Sequence, residues 1–490
     1  MKRWRIMFVL AMAGMAETPA ALGADDETVQ RLVRELQGMK QRLEKVEKLT
    51  AQQQEVIRQQ SATIRQLSGT TRAASPAPTH ASVAPVAPGA TPPAPVEVAA
   101  APPPAAPPEP WSPSKPIPLV SGSHAYLNLS FDSLVDFGWS TTPDVQSLER
   151  GDHDPIQRGF TLPNSEIVLD GAVDPYFRGV ANLVFKLDEN NDTSVELEEA
   201  YLATTSLPWN LQAKGGQFLS EFGRLNQQHP HAWDFVDQPL VIGRMFGPEG
   251  LRNPGARLSW LLPTPFYSEL YAAVQDSQGA SAYSFRNTAD DLFGRTPIDR
   301  SVKSLGDMLY VPRYVASFEP TDSQTIVAGL SGAFGPNASG SNTYTQIYGG
   351  DVYWKWKPGW QSGGFPFVSW QTEALGRRYQ AGSGLVDPPA TALPHETLYD
   401  WGVYSQVLYG FTQRWVAGLR GDWVSGDHGA VASDDLGDRV RVSPDLTFYP
   451  TEFSKIRLQY NYDHRQFQGD DSSVWMQVEF LLGAHAAHKF

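Results

Sequence analysis

The last seventeen residues, 474–490, alternate in character. One parity reads Met476, Val478, Phe480, Leu482, Ala484, Ala486, His488 and Phe490, and the other reads Trp475, Gln477, Glu479, Leu481, Gly483, His485, Ala487 and Lys489. Successive side chains of a strand point to opposite faces, so this segment predicts a β-strand with one mostly apolar and one mostly polar or small face. Such a strand must put its apolar face against something that is not water.

The same period recurs from about residue 121 onward, between clusters of Gly, Pro, Asn and Asp. Ala125, Leu127, Leu129 and Phe131 share one parity, as do Tyr314, Ala316 and Phe318. So do Tyr348, Val352, Trp354 and Trp356, then Trp415, Ala417, Leu419 and Trp423, then Ile456, Leu458, Tyr460 and Tyr462. Strand centres fall near residues 129, 168, 182, 199, 215, 258, 271, 315, 330, 351, 371, 405, 419, 444, 459 and 479, about sixteen in all. The fold class expected is all-β: an antiparallel transmembrane barrel of about sixteen strands, apolar outward and polar inward, over residues 119–490. Such a wall never averages to a hydrophobic run, which reconciles 19% charged residues with 11% aromatics and 14 Trp. Trp356, Trp370, Trp401 and Trp475 are expected in aromatic girdles. A soluble β-sandwich is the alternative.

Upstream, Lys2, Arg3 and Arg5 precede an apolar run and then Ala20, Ala21, Gly23 and Ala24, the layout of a secretory signal peptide over residues 1–24. The run is too short for the roughly twenty residues that a spanning helix needs. With no cysteine, neither a lipidated Cys nor a disulfide framework is available. Residues 25–68 hold an a/d series from Val29, Leu32, Leu36 and Met39 to Ile57, Ile64 and Leu67, with Thr50, Gln53 and Gln60 in the seam. That pattern predicts an α-helical coiled coil, on the order of 60 Å long at about 1.5 Å per residue. The Pro/Ala-rich stretch 69–118 predicts a polyproline spacer. A net charge of −14 argues against nucleic acid, which needs a basic surface.

In its strand placement, its terminal Phe490 and the segment Gly216-Gln217-Phe218-Leu219-Ser220-Glu221-Phe222-Gly223-Arg224, the chain resembles the phosphate-selective porin O and P family and related trimeric outer-membrane porins with a periplasmic coiled coil. His488 departs from the Tyr more usual in such C-terminal signatures, and no arginine ladder or lysine cluster can be matched. The resemblance implies a passive diffusion channel for small hydrophilic solutes. Its expected surroundings are the lipid bilayer and lipopolysaccharide, a homotrimer, and a stalk in the periplasm that contacts peptidoglycan. Phosphate selectivity is not implied.

The long irregular stretch 220–254 is expected to fold inward as the pore constriction, carrying Arg224, His229, His231, Trp233, Arg244 and Arg252, with Arg257 on the following strand. Arg224, Arg244, Arg252 and Arg257 would supply positive potential there. The alternative is that Phe235, Leu240, Val241 and Met245 merely brace the wall. Arg420, Arg439, Arg441, Arg457 and Glu479 are expected to line the lumen. Arg439 and Arg441 there would either form a basic track or pair with carboxylates.

His229 and His231, and His485 and His488, invite a metal reading, which suggests a receptor linked to zinc uptake as an alternative function. Spacing alone does not make a site, so no metal ligand and no cofactor is assigned. A second alternative is an envelope tether with the barrel as anchor. No G-x-S-x-G and no H-E-x-x-H motif occurs, and no enzymatic activity is expected.

Overall fold

The computed structural model describes residues 115–122, 125–148, 151–188, 190–289, 292–386, 391–430 and 436–483. The expected signal peptide, coiled coil, most of the spacer, and the terminal residues His485, His488 and Phe490 lie outside them.

The strands are β1 (Ile117–Ser121), β2 (Tyr126–Ser140), β3 (Gly159–Ala172), β4 (Phe177–Leu187), β5 (Thr193–Thr204), β6 (Leu211–Leu219) and β7 (Arg252–Leu261). Then come β8 (Tyr267–Gln275), β9 (Leu309–Thr321), β10 (Gln324–Pro336), β11 (Tyr344–Trp356), β12 (Phe367–Ala381), β13 (Gly384–Val386) and β14 (Thr391–Leu393). The last are β15 (Glu396–Thr412), β16 (Trp415–Gly426), β17 (Arg439–Thr451), β18 (Ser454–Arg465) and β19 (Gly469–Leu482). Each of β2 to β11 pairs antiparallel with the next, β12 pairs with β15, and β15 to β19 continue the series. β19 then pairs with β2, Leu482 opposite Phe131 and Ser473 opposite Ser140, so sixteen strands close on themselves and leave no open edge.

All sixteen expected strand centres fall inside these barrel strands. Three strands were not expected. β13 and β14 form a small hairpin between β12 and β15. β1 begins inside the predicted spacer and pairs with residues 126–129 of β2, immediately past the point where β19 stops.

Alternation sets the two faces. On β18, Lys455, Arg457, Gln459, Asn461, Asp463 and Arg465 are buried inward, whereas Ile456, Leu458, Tyr460 and Tyr462 are exposed outward. Leu419, Val442, Val478 and Phe480 continue the exposed apolar surface on neighbouring strands. Trp370 and Trp401 belong to it, but Trp475 does not. Trp475 sits on the inward parity, 1% exposed, clustered with Val145 and Val236.

Connections are unequal at the two ends. One rim carries tight turns such as 322–323, 413–414 and 452–453, and the other carries the long loops 141–158, 220–251, 276–308, 382–395 and 427–438. No helix among the described residues is long and apolar enough to cross a membrane.

Candidate functional site

Loop 220–251 does not stand out from the rim; it enters the barrel. Its entry is made by Gly223, which adopts φ +58, a left-handed conformation that glycine reaches without a Cβ penalty. A Cβ there would also run into the Glu373 carboxylate. The turn aims two backbone N–H groups at that carboxylate: Arg224 donates to Oε2 at 2.9 Å and Leu225 to Oε1 at 2.8 Å. Further on, the short helix α1 (Leu240–Phe246) is buried along its whole length. Its Val241, Met245 and Phe246 pack with Phe218, Phe222, Leu375, Tyr404 and Val424 into an apolar core inside the barrel. Loop 276–308 adds Phe285 to the same core, and its Ser284 hydroxyl donates to the Met245 carbonyl.

Asp237 fixes the middle of the loop. Its carboxylate accepts from Arg420 Nη2 at 2.8 Å, Gln459 Nε2 at 2.6 Å and Asn461 Nδ2 at 3.1 Å, and it also accepts from Arg441 Nη1. Arg420 Nε in turn donates to Asp422 at 2.8 Å, and Arg441 Nη2 to Asp463 at 2.7 Å. Backbone groups complete the attachment. Val236 N–H donates to Gln459 Oε1 at 2.8 Å and Leu240 N–H to Asp422 Oδ1 at 3.0 Å. Arg457 and Lys455 donate to the carbonyls of Trp233 and His231 at 2.9 and 2.7 Å.

Loop 220–251 lies inside the barrel, and the arginines expected to supply free positive potential there are mostly paired. Arg252 pairs with Glu196 and Glu249, and Arg257 Nε meets Glu221 at 3.1 Å. Arg244 Nη2 donates to the Gly437 carbonyl. Arg439 and Arg441 share Asp463 rather than forming a basic track, Arg457 Nε stands 3.8 Å from Asp445, and Glu479 pairs with Lys455. Between the loop and the wall a charge is poorly hydrated, and pairing offsets the cost of holding it there. Sequence parity locates a cation without revealing its partner across the lumen. Trp233 is half-buried, its Nε1 donating to the Gln228 carbonyl at 3.1 Å.

Arg224 and Lys355 are held differently. Arg224 donates from Nε to the neutral Gln371 Oε1 at 2.9 Å and lies 3.9 Å over the Tyr353 ring, with no carboxylate at ion-pair distance. Lys355, at the next lumen-facing position after Tyr353, stands 5.1 Å from the Phe367 ring and likewise has no ion pair.

His229 and His231 hold the loop to the opposite wall. Their rings stack 5.9 Å apart, 3° from parallel, facing Asp132, Glu166, Glu198 and Glu199. A β-bulge in β5 makes this possible. Asn182 pairs with Glu199 and Leu183 with Leu197, so Glu198 is the extra residue, and two consecutive carboxylates both turn inward. Strict alternation would have sent one of them out, which is why the sequence reading missed the pair.

No model of a known protein family matches the sequence. An uncharacterized protein of Aquifex aeolicus (strain VF5) is 32% identical over 353 residues, 68% of this chain and 71% of that one. Among solved structures, the outer membrane channel DcaP of Acinetobacter baumannii superposes with a TM-score of 0.47 at 14% identity, over 74% of this chain and 99% of that one. The anion-selective porin from Comamonas acidovorans gives 0.47 at 6% identity, over 73% of this chain and 100% of that one. Neither structure is similar enough for its solute or its assembly to bear on this chain.

Proposed function

We propose that this chain, which belongs to the same family as the uncharacterized Aquifex aeolicus protein, is an outer-membrane diffusion channel for small hydrophilic solutes. The supporting observation is the inverted polarity of the closed barrel: apolar side chains such as Leu458 and Val478 face out, and charged ones such as Arg457 and Glu479 face in. Water would penalise that outer face, whereas a bilayer accommodates it and leaves a polar interior for solutes.

In this reading the inward loop narrows the passage, and Arg224 with Lys355 sets its charge preference. Neither cation forms an ion pair with a carboxylate, Asp234 acting on both only at longer range, and in this reading small anions are favoured over cations. Because Arg252, Arg257, Arg420 and Arg441 are already paired, they contribute little to selectivity. Transport is passive and involves no covalent chemistry.

Assembly as a homotrimer belongs to the same proposal. Its support is an apolar concavity of about 740 Å³ on the outward face of β2 to β6, where Leu127, Phe177 and Leu202 flank the small residues Gly171, Gly179 and Gly215. Small residues allow close approach of a second barrel within lipid.

Liposome swelling tests the function. Vesicles carrying the folded protein should swell with small sugars and faster with small organic anions than with cations of the same size. Swelling no faster than in protein-free vesicles would contradict the proposal.

A further inference from the structure

Asp132 of β2 stands directly across from Glu166 of β3, and both are buried to within 1% of complete. Like charges at directly opposed positions destabilise a sheet unless a cation lies between them. Glu198 and Glu199 of β5 approach from the side, 5% and 8% exposed. Among the described residues no lysine or arginine pairs with any of the four; their only ionic partners are His153, His229 and His231. Acceptors exceed donors. Neither carboxylate oxygen of Glu166 has a donor in good hydrogen-bond geometry, His231 and Asn182 being only loosely placed for it, and the side-chain oxygens of Asn164 and Asn182 beside them are likewise buried without a partner.

The neighbouring triad of Asp152, Glu196 and Glu249 shows the difference. It also gathers three carboxylates, but Lys186 and Arg252 enter it and neutralise them. It therefore needs no ion.

We propose that Asp132, Glu166 and His231, together with Glu198 and His229, form a binding site for a divalent transition-metal ion of the zinc class, with Glu166 shared between the two histidines. Ligand atoms of each group, Asp132–Glu166–His231 and Glu166–Glu198–His229, lie within 4.8 Å of one another. His231 Nδ1 is 3.4 Å from Asp132 Oδ2 and 3.5 Å from Glu166 Oε2. These separations are long for hydrogen bonds. They match the spacing of about 3.3–3.5 Å between ligand atoms around a tetrahedral ion with bonds of about 2.0–2.1 Å.

His229 carries the accompanying feature of such sites. Its Nε2 lies 3.1 Å from Glu199 Oε2, while Nδ1 stands 2.8 Å from Glu198 Oε2, a hydrogen bond in the ion-free site, and 3.9 Å from Glu166 Oε1. A carboxylate on the far nitrogen fixes the tautomer and aims the other nitrogen at the metal. Imidazole with carboxylate is a donor set that suits zinc and its first-row neighbours rather than magnesium or calcium. The ion would fasten loop 220–251 to strands β2, β3 and β5.

The test is calorimetric titration of the folded full chain, without an affinity tag, with Zn2+, repeated by absorption with Co2+. The wild type should bind both ions. Glu166→Gln and the pair His229→Gln with His231→Gln should abolish binding while the barrel keeps its heat-modifiable migration on gels. Glu199→Gln, which leaves every proposed ligand in place, should weaken Zn2+ binding about tenfold to a hundredfold, and it serves if Glu166→Gln does not refold. No binding by the wild type would overturn the proposal. So would binding unchanged in folded Glu166→Gln or, when that variant does not refold, in Glu199→Gln, because His485 and His488 remain intact in both and an ion bound there is a different site.

Discussion

The carboxylate of Asp237, on a loop, receives the guanidinium of Arg420, on a barrel strand, at 2.8 Å, and both side chains are 1% exposed. A contact 183 residues apart in sequence thus joins the element that narrows the lumen to the wall around it. Buried ion pairs are not strong net contributors to stability, but removal of one partner leaves the other charged, buried and uncompensated, at about 3–5 kcal/mol.

Replacement of Asp237 by Ala should therefore release the loop rather than unfold the barrel, since strand pairing around the circuit does not depend on it. Arg420 and Arg441 keep Asp422 and Asp463, which limits the damage to the loop side. Single-channel recording should show larger and noisier conductance than wild type, while heat-modifiable migration persists. Conductance equal to wild type would mean that the loop does not limit the passage.

Acid should do the same thing reversibly. Burial pushes the Asp237 carboxyl up, but Arg420 and then Arg441 outweigh it and hold its pKa below the usual carboxylate value. A depressed folded-state pKa means that the contribution is complete above the ordinary Asp range and is lost as pH falls through the depressed value. The part of the acid response that Asp237 carries should appear only below the ordinary carboxylate range, as a difference between wild type and Asp237→Asn, which should lack it.

Charge preference should follow the two lumen cations that have no carboxylate partner. Arg224→Gln with Lys355→Gln should shift the reversal potential in a salt gradient toward cation selectivity. Arg252→Gln should shift it far less, because Glu196 and Glu249 already cancel Arg252 and retain Lys186 when it is lost. Equal shifts in the two variants would refute the assignment.

The outer face separates a membrane barrel from a soluble one. Leu458 is 53% exposed, so in water Leu458→Arg would be nearly neutral. In a bilayer the same change should cost about 2–4 kcal/mol if it lies near the midplane. Equilibrium unfolding from vesicles measures the difference.

The wall was readable because an outward-facing apolar strand imposes a period of two, and sixteen such segments with turn residues between them fix the count and the parity of residues such as Arg457 and Glu479. The length and apolarity of 220–254 marked a segment that packs on something, and Val241 and Met245 do pack inside the barrel. What the pattern did not contain was partnership across the lumen: the pairing of Arg420 and Arg441 with Asp237 depends on where the loop comes to rest. Local irregularity was also hidden. The bulge at Glu198 breaks the alternation that the reading relied on. Trp475 looked like a girdle residue by its type, yet its parity points it inward onto Val145 and Val236.

Planar-bilayer recording of the purified, folded protein under a salt gradient tests the central claim most directly. The account predicts stable, small conductance steps with a reversal potential on the anion-selective side. Absence of any conductance from correctly folded protein, or clear cation selectivity, would contradict it.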